Sequence, residues 1–434
     1  MAAHALRCPL FLREGALMAI EPITRFLLAV GAILLVSHFC GEVLRRIGQP
    51  PVLGEIVGGL LLGPSVLGLI WPSAGTWLFP ADVLSSLDRA AQLGLVVFMF
   101  LLGCELRTDR IERKSLVGAV ILGGMGLPFA AGIGVAFAAA SVLAGADAPK
   151  AGYVLFFALA LAITALPVLA RILVDLDLDR TGLGALSLTS AAIGDGIAWL
   201  TLTLILVGTG QHGGGNVVMT AILAVVLVVF TQLVVRRILG RLVTRIESDK
   251  VMTVLLLVGA IGFAVLTQLL GLHALLGAFL FGTAVPRDCP VVERISAQLR
   301  GFTLVVLLPL FFALVGLSTS IGLLGTDLSH WLLFAGILLV AQLTKFIGAG
   351  GAARLAGLPG RQAIQLGTLM NCRGVTELVV ATIGLKYGLI NQLGFTILVL
   401  VAVVTTAVTG PLMRFLTRRE KAAAKPEIFE IVGN

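Results

Sequence analysis

The stretch TGLGALSLTSAAIGDGIAWLTLTLIL (181–206) decides how this chain is read. It is apolar and long enough to cross a bilayer as a helix, which takes about 20 residues. It carries one formal charge, Asp195, near its middle. A carboxylate at that depth costs roughly 2.5–3.5 kcal/mol on insertion scales. A purely structural span has no need of it, so the question put to the rest of the sequence is what Asp195 faces.

Working outward, the whole chain has the same apolar character. Of 434 residues, 58% are hydrophobic and only 12% charged, against about 25% charged in soluble domains. Repeated long apolar runs place it among all-α polytopic membrane proteins. Thirteen segments are expected, at about 22–44, 52–71, 90–106, 115–144, 151–174, 182–208, 215–235, 251–269, 271–286, 301–321, 328–353, 362–385 and 391–413. The ninth is short enough to be re-entrant. The 52 glycines suit close helix packing in lipid. The net charge of +8 is read as anchoring of cytoplasmic loops, with no nucleic-acid partner. The five cysteines are scattered without a CxxC, so neither a disulfide framework nor a metal site is expected. No signal-peptide cleavage site stands out before Met18, which is an alternative start to Met1.

The basic residues concentrate after odd-numbered segments, as in Arg45 and Arg46, Arg236 to Lys250, and the C-terminal tail. This bias predicts a cytoplasmic C-terminus and an N-terminus outside. A weak internal repeat is also visible. EIVGGLLLG (55–63) resembles ALLGAFLFG (274–282), and FMFLLG (98–103) resembles FFALVG (311–316). Each partner lies seven segments on, so the two copies enter the membrane from opposite sides, as in inverted-repeat transporters. The expected organisation is an N-terminal extension (1–21), a first six-helix repeat (22–208), a linker helix and loop (209–250), a second repeat (251–416) and a short tail (417–434). The tail leaves no room for a nucleotide-binding regulatory domain.

The repeat also predicts where helices break. Segment five carries ITALP (163–167), with Thr164 and Pro167. Segment twelve carries NCRG (371–374), with Arg373 and Gly374. Matching interruptions in two halves point to a binding site between them. Ordinary kinks are the alternative. Deep charges are Asp195, Lys345, Arg373 and Glu377. Glu105 and Glu55 lie nearer segment ends, and Glu55 is either an end residue or a partner for Arg373. Arg373 and Glu377, four residues apart, share a helical face and suit an ion pair. Asp195 and Lys345 meet only through tertiary contact. His38 and His273, which titrate near neutrality when unperturbed, are read chiefly as packing residues.

Taken together, PPVLGEIVGGLLLGPSVLG (50–68), ITALPVLARIL (163–173), the Asp195 segment, Lys345 and MNCRGVTELVVATIGL (370–385) resemble the second branch of the monovalent cation:proton antiporter superfamily. The resemblance spans about 22–416. It implies thirteen helices with discontinuous segments five and twelve, a homodimer in the plasma membrane, and a core moving against a dimerisation region. It also implies that Asp195 alternately binds a cation and a proton, with Lys345 as its charged partner. Family members usually have Asp, Asn or Gln before the aspartate; here it is Gly194.

The expected function is secondary antiport of a monovalent cation, Na⁺ placed before K⁺, against protons. Asp195 supplies the charge, while the Thr164 hydroxyl and carbonyls near Thr164 and Cys372 complete an oxygen site. No cofactor is expected. K⁺/H⁺ antiport and a cation channel or uniporter of the same fold are the alternatives. ATP-driven pumping has no P-loop to support it. An intramembrane aspartyl protease lacks its second carboxylate.

Overall fold

A computed structural model of the chain describes residues 22–105, 114–178, 181–210, 217–246, 248–270, 272–286 and 289–423. The extension 1–21, the Met18 start and the end of the tail (424–434) lie outside the described residues, as do the side chains of Glu105 and Pro167. In chain order the main helices are α1 (Pro22–Arg46), α2 (Pro51–Ile70), α3 (Ala81–Glu105), α4 (Lys114–Leu143), α5 (Lys150–Ala162), α6 (Leu166–Asp175), α7 (Gly182–Gly208), α8 (Ile222–Arg245), α9 (Asp249–Leu269), α10 (Ala274–Ala284), α11 (Pro290–Leu323), α12 (Leu328–Leu355), α13 (Gly360–Met370), α14 (Val375–Lys386) and α15 (Gln392–Ala423).

Among the described residues ten helices are long and apolar enough to cross a membrane. The expected fifth, ninth and twelfth segments are absent from that set for a physical reason. The fifth is α5 and α6 with a break between, the twelfth is α13 and α14 with another, and the ninth, α10, is short. Among the described residues there is no strand, only one isolated bridge between Ala144 and Ile390. Helices satisfy their own backbone groups, which hydrocarbon requires.

Small residues set how closely the helices approach. Between α2 and α11, a Cβ on Gly59 would lie 2.2 Å from the Ala313 carbonyl, and one on Gly316 would lie 2.5 Å from that of Ile56. Between α3 and α10, a Cβ on Gly103 would lie 2.2 Å from the Phe279 carbonyl, and one on Gly282 would lie 2.1 Å from that of Phe100. Backbones therefore touch at both crossings. The pairing is reciprocal: the 55–63 motif packs on 311–316, and the 274–282 motif packs on 98–103.

A second group of helices holds the breaks. α4 and α12 each widen by a π turn, at Leu122–Gly126 and Phe346–Gly350. The two widenings lie against each other, with a Cβ on Gly123 or Gly348 meeting the other's carbonyl at 2.2 Å. π turns inside helices recur at functional sites, and Lys345 immediately precedes the one in α12. α5, α13 and α15 pack around this pair, and α14 packs in turn on α5 and α15.

Candidate functional site

The two breaks fall where the sequence places them. α5 ends at Ala162 and α6 starts at Leu166; α13 ends at Met370 and α14 starts at Val375. Pro167 is the second residue of α6. It therefore sits in a first turn, where its missing N–H costs nothing, and starts the second half-helix without breaking an intact one. A Cβ on Gly374 would lie 2.6 Å from Val168, so the side-chain-free residue lets the two unwound segments close on each other.

The breaks are stitched together. The Ala165 N–H donates to the Cys372 carbonyl at 3.0 Å, and the Thr164 hydroxyl donates to the Met370 carbonyl at 2.9 Å. Thr406 of α15 both accepts from the Arg373 N–H at 3.1 Å and donates to the Arg373 carbonyl. Unwound backbone in a buried place needs such partners, because an orphaned buried polar group costs about 1–3 kcal/mol.

Lys345 is fully buried. Its Nζ donates to the Ala162 carbonyl at 2.5 Å and to Thr164 Oγ1 at 2.7 Å. Arg373 is also fully buried, and donates to the carbonyls of Ala160 at 3.1 Å and Leu161 at 2.6 Å. Both cations thus cover the carboxyl end of α5, where free carbonyls concentrate negative potential. Arg373 also pairs with Glu377 at 3.0 Å, the i,i+4 contact expected of that face. Glu55, half-buried on α2, is not among Arg373's partners. The pairing of Glu55 with Arg373 is thereby corrected, because Glu377 and two carbonyls already surround the guanidinium.

Asp195 lies on α7 with 1% of its surface exposed. Thr376, in the first turn of α14, reaches its Oδ2 at 3.4 Å, and the Leu166 N–H at the start of α6 faces the same carboxylate. Its Oδ1 has no partner. The carboxylate therefore sits at the amino ends of two half-helices, where helix dipoles favour negative charge. Among the described residues no ion pair within 4.0 Å joins it to Lys345. Lys345, expected as the charged partner of Asp195, instead spends its hydrogen bonds on the Ala162 carbonyl and Thr164, and acts on the carboxylate only through its charge.

The Thr164 hydroxyl, expected as a cation ligand, donates to the Met370 carbonyl and accepts from Lys345, and the Cys372 carbonyl accepts from the Ala165 N–H. The unpartnered buried oxygens here are Asp195 Oδ1, Asn371 Oδ1 and Glu377 Oε2. Asn371 and Thr376 were missed by sequence reasoning. Both lie inside the 370–385 motif, and a polar side chain at a helix break was the available signal. His38 is exposed and meets its own helix at the Leu34 carbonyl. His273 caps α10 and stacks on Trp199, ring centroids 5.7 Å apart.

The place left by the missing side chain at Gly194 is bordered by Met125. A Cβ there would lie 3.2 Å from the Met125 sulfur, in the π turn of α4. Introducing Asn by Gly194→Asn should therefore overpack the site, which typically costs about 1–3 kcal/mol. Met125→Ala in the same chain should relieve most of that cost. Melting temperatures of the single and double variants in detergent check this; equal losses in both would refute it.

A helical membrane protein whose buried carboxylate faces the ends of two broken, crossing helices falls in the class of ion-coupled carriers. The family model for the transmembrane sodium/hydrogen exchanger matches residues 31–419, and the chain belongs to that family of cation/proton antiporters. It is 37% identical to "Cation/H(+) antiporter 20" of Arabidopsis thaliana, over 87% of this chain and 47% of that one. It is 34% identical to "Na(+)/H(+) antiporter NhaS4" of Synechocystis, over 88% and 94%. It is 32% identical to "K(+)/H(+) antiporter 1" of Saccharomyces cerevisiae, over 91% and 47%. The chain thus spans about half the length of the plant and yeast relatives. Its fold matches the sodium proton antiporter MjNhaP1 of Methanocaldococcus jannaschii, with a TM-score of 0.69 and 14% identity over 93% of this chain and 99% of that one.

Proposed function

We propose that the chain exchanges a monovalent cation for protons by alternating access, with Asp195 carrying one or the other in turn. The observation that supports this best is the buried Asp195 Oδ1 with no hydrogen-bond partner in the protein, while the Lys345 ammonium is bonded to Ala162 and Thr164. A buried carboxylate with no ion-paired partner in contact is costly, and either a proton or a cation neutralises it. Na⁺ and K⁺ are hard ions that take oxygen ligands. Asp195 Oδ1 supplies the charge and Asn371 Oδ1 is an uncommitted oxygen in the same crossing. Thr164, Pro167, Arg373, Gly374 and Glu377 hold the geometry, and Gly194 admits Met125 beside it.

Na⁺ is the first reading, in line with the near full-length likeness to the Synechocystis protein. K⁺ is the second, favoured by the yeast relative's name. If Lys345 keeps its charge throughout, the loaded site is neutral with either ion and exchange is one-for-one. If Lys345 also releases a proton, the cycle moves net charge. The reciprocal packing of the two motif pairs supports two inverted repeats, 22–208 and 251–416, around the linker. Thirteen crossings, a C-terminus in the cytoplasm and a homodimer in the plasma membrane complete the proposal.

The test is a cation panel in proteoliposomes with an entrapped pH dye. Addition of Na⁺ should move protons the opposite way, and the rate should not follow an imposed membrane potential. Cation flux without proton movement would reject antiport in favour of a channel. Potential-dependent flux would assign Lys345 a proton of its own.

A further inference from the structure

Pro411 stands inside α15. Lacking an N–H, it cannot donate to the carbonyl four residues back, so Ala407 loses its helical partner. The side chain of Gln49 takes that place, its Nε2 donating to the Ala407 carbonyl at 3.1 Å. Beyond the proline, Arg414 reaches in the other direction and donates to the Gly48 carbonyl at 2.6 Å. Gly48 has φ +79°, and a Cβ there would lie 1.7 Å from the guanidinium. The backbone conformation therefore favours glycine, and any side chain there would displace the guanidinium. Residues 47–50 form the turn between α1 and α2. That turn is docked, by two side chains running in opposite directions, onto the proline step of α15.

The neighbour of Ala407 is Thr406, which holds the Arg373 backbone in the broken crossing. At the other end of α15, Gln392 donates to the Ser318 carbonyl of α11. α15 is thus fastened to the helix group containing α2 and α11 at its first residue and again between Ala407 and Arg414, and at Thr406, beside the second contact, to the group containing the breaks. Gln49 and Arg414 are both half-buried, so their donors can pass to water when they let go.

We propose that Gln49 and Arg414 are positioning residues of the exchange cycle. They hold α15, and through Thr406 the Asp195 crossing, against the α1–α2 turn in one access state and release it in the other. This rests on the alternating-access reading above. A crossing that moves against α2 and α11 cannot keep α15 fastened both to Arg373 and to the α1–α2 turn throughout.

The decisive experiment fixes the contact. Gln49→Cys and Ala407→Cys are introduced with the native cysteines replaced by alanine, and joined by a short, reducible bis-thiosulfonate linker in proteoliposomes. Exchange should fall at least tenfold and return on reduction; unchanged exchange in the linked protein would overturn the proposal. A second measurement needs no transport. Gln49→Leu should lower the melting temperature, and Pro411→Ala should remove that effect by restoring an N–H to Ala407. An equal loss from Gln49→Leu in the Pro411→Ala background would show that Gln49 does not serve that carbonyl, and would also overturn the proposal. If the reduced protein exchanges no cation, the functional reading fails, while the melting cycle still decides the docking.

Discussion

Asp195→Asn is expected to abolish cation-driven proton movement, reducing it to the level of empty liposomes. Asn keeps the size of the side chain and can still accept from Thr376 and the Leu166 N–H. What it loses is the charge that a cation neutralises and the group that takes up a proton in its absence. The melting temperature should change little, or rise, because a buried charge with an unpartnered oxygen is a source of cost. This combination separates a working carboxylate from a structural one. Exchange that survives in Asp195→Asn would remove Asp195 from the mechanism. The measurement is dye-reported proton flux on adding Na⁺ or K⁺, with detergent melting on the same preparation.

The second large effect is on stability. Arg373→Met leaves Glu377 as an uncompensated buried carboxylate and uncovers the carbonyls of Ala160 and Leu161. Breaking a buried pair from one side costs about 3–5 kcal/mol, a large share of the 5–15 kcal/mol that typically holds a soluble domain folded. Arg373→Met should therefore yield little folded protein. The double variant Arg373→Met with Glu377→Leu should recover much of the loss, because no charge is left without a partner, although the two carbonyls stay uncovered. Yield of monodisperse protein and melting temperature read both. If the double variant is no better than Arg373→Met, the carbonyl contacts outweigh the ion pair, and Arg373 serves chiefly as a cap on α5.

Much of this was legible in sequence because hydrocarbon leaves few choices. A backbone in lipid must be helical, so the apolar runs placed the helices. Charge is expensive there, so Asp195, Lys345, Arg373 and Glu377 announced themselves. The i,i+4 spacing gave the Arg373–Glu377 pair because both ends lie on adjoining residues of one local structure. ITALP and NCRG marked the breaks, since a proline suits the first turn of a new half-helix and a glycine permits unwound backbone in the corresponding segment.

Other features lay beyond sequence because they depend on distance between remote segments. Lys345 was expected as the charged partner of Asp195, and its hydrogen bonds go to the end of α5. Opposite charges suggest pairing, but the free carbonyls at a helix end compete for the same ammonium, and only packing decides between them. The approach of Met125 to Gly194, and the occupation of Ala407's released carbonyl by Gln49, likewise followed from which helices touch.

The sequence by itself determined the kind of molecule, its segments, its two breaks and the residues that carry charge within them. Those follow from local constraints: the cost of exposing a peptide group or a charge to lipid. The tertiary structure decided which charge faces which helix end. It put Asp195 at the amino ends of α6 and α14, and both cations at the carboxyl end of α5. That sorting is electrostatic, set by the dipoles of half-helices whose mutual placement no single segment encodes.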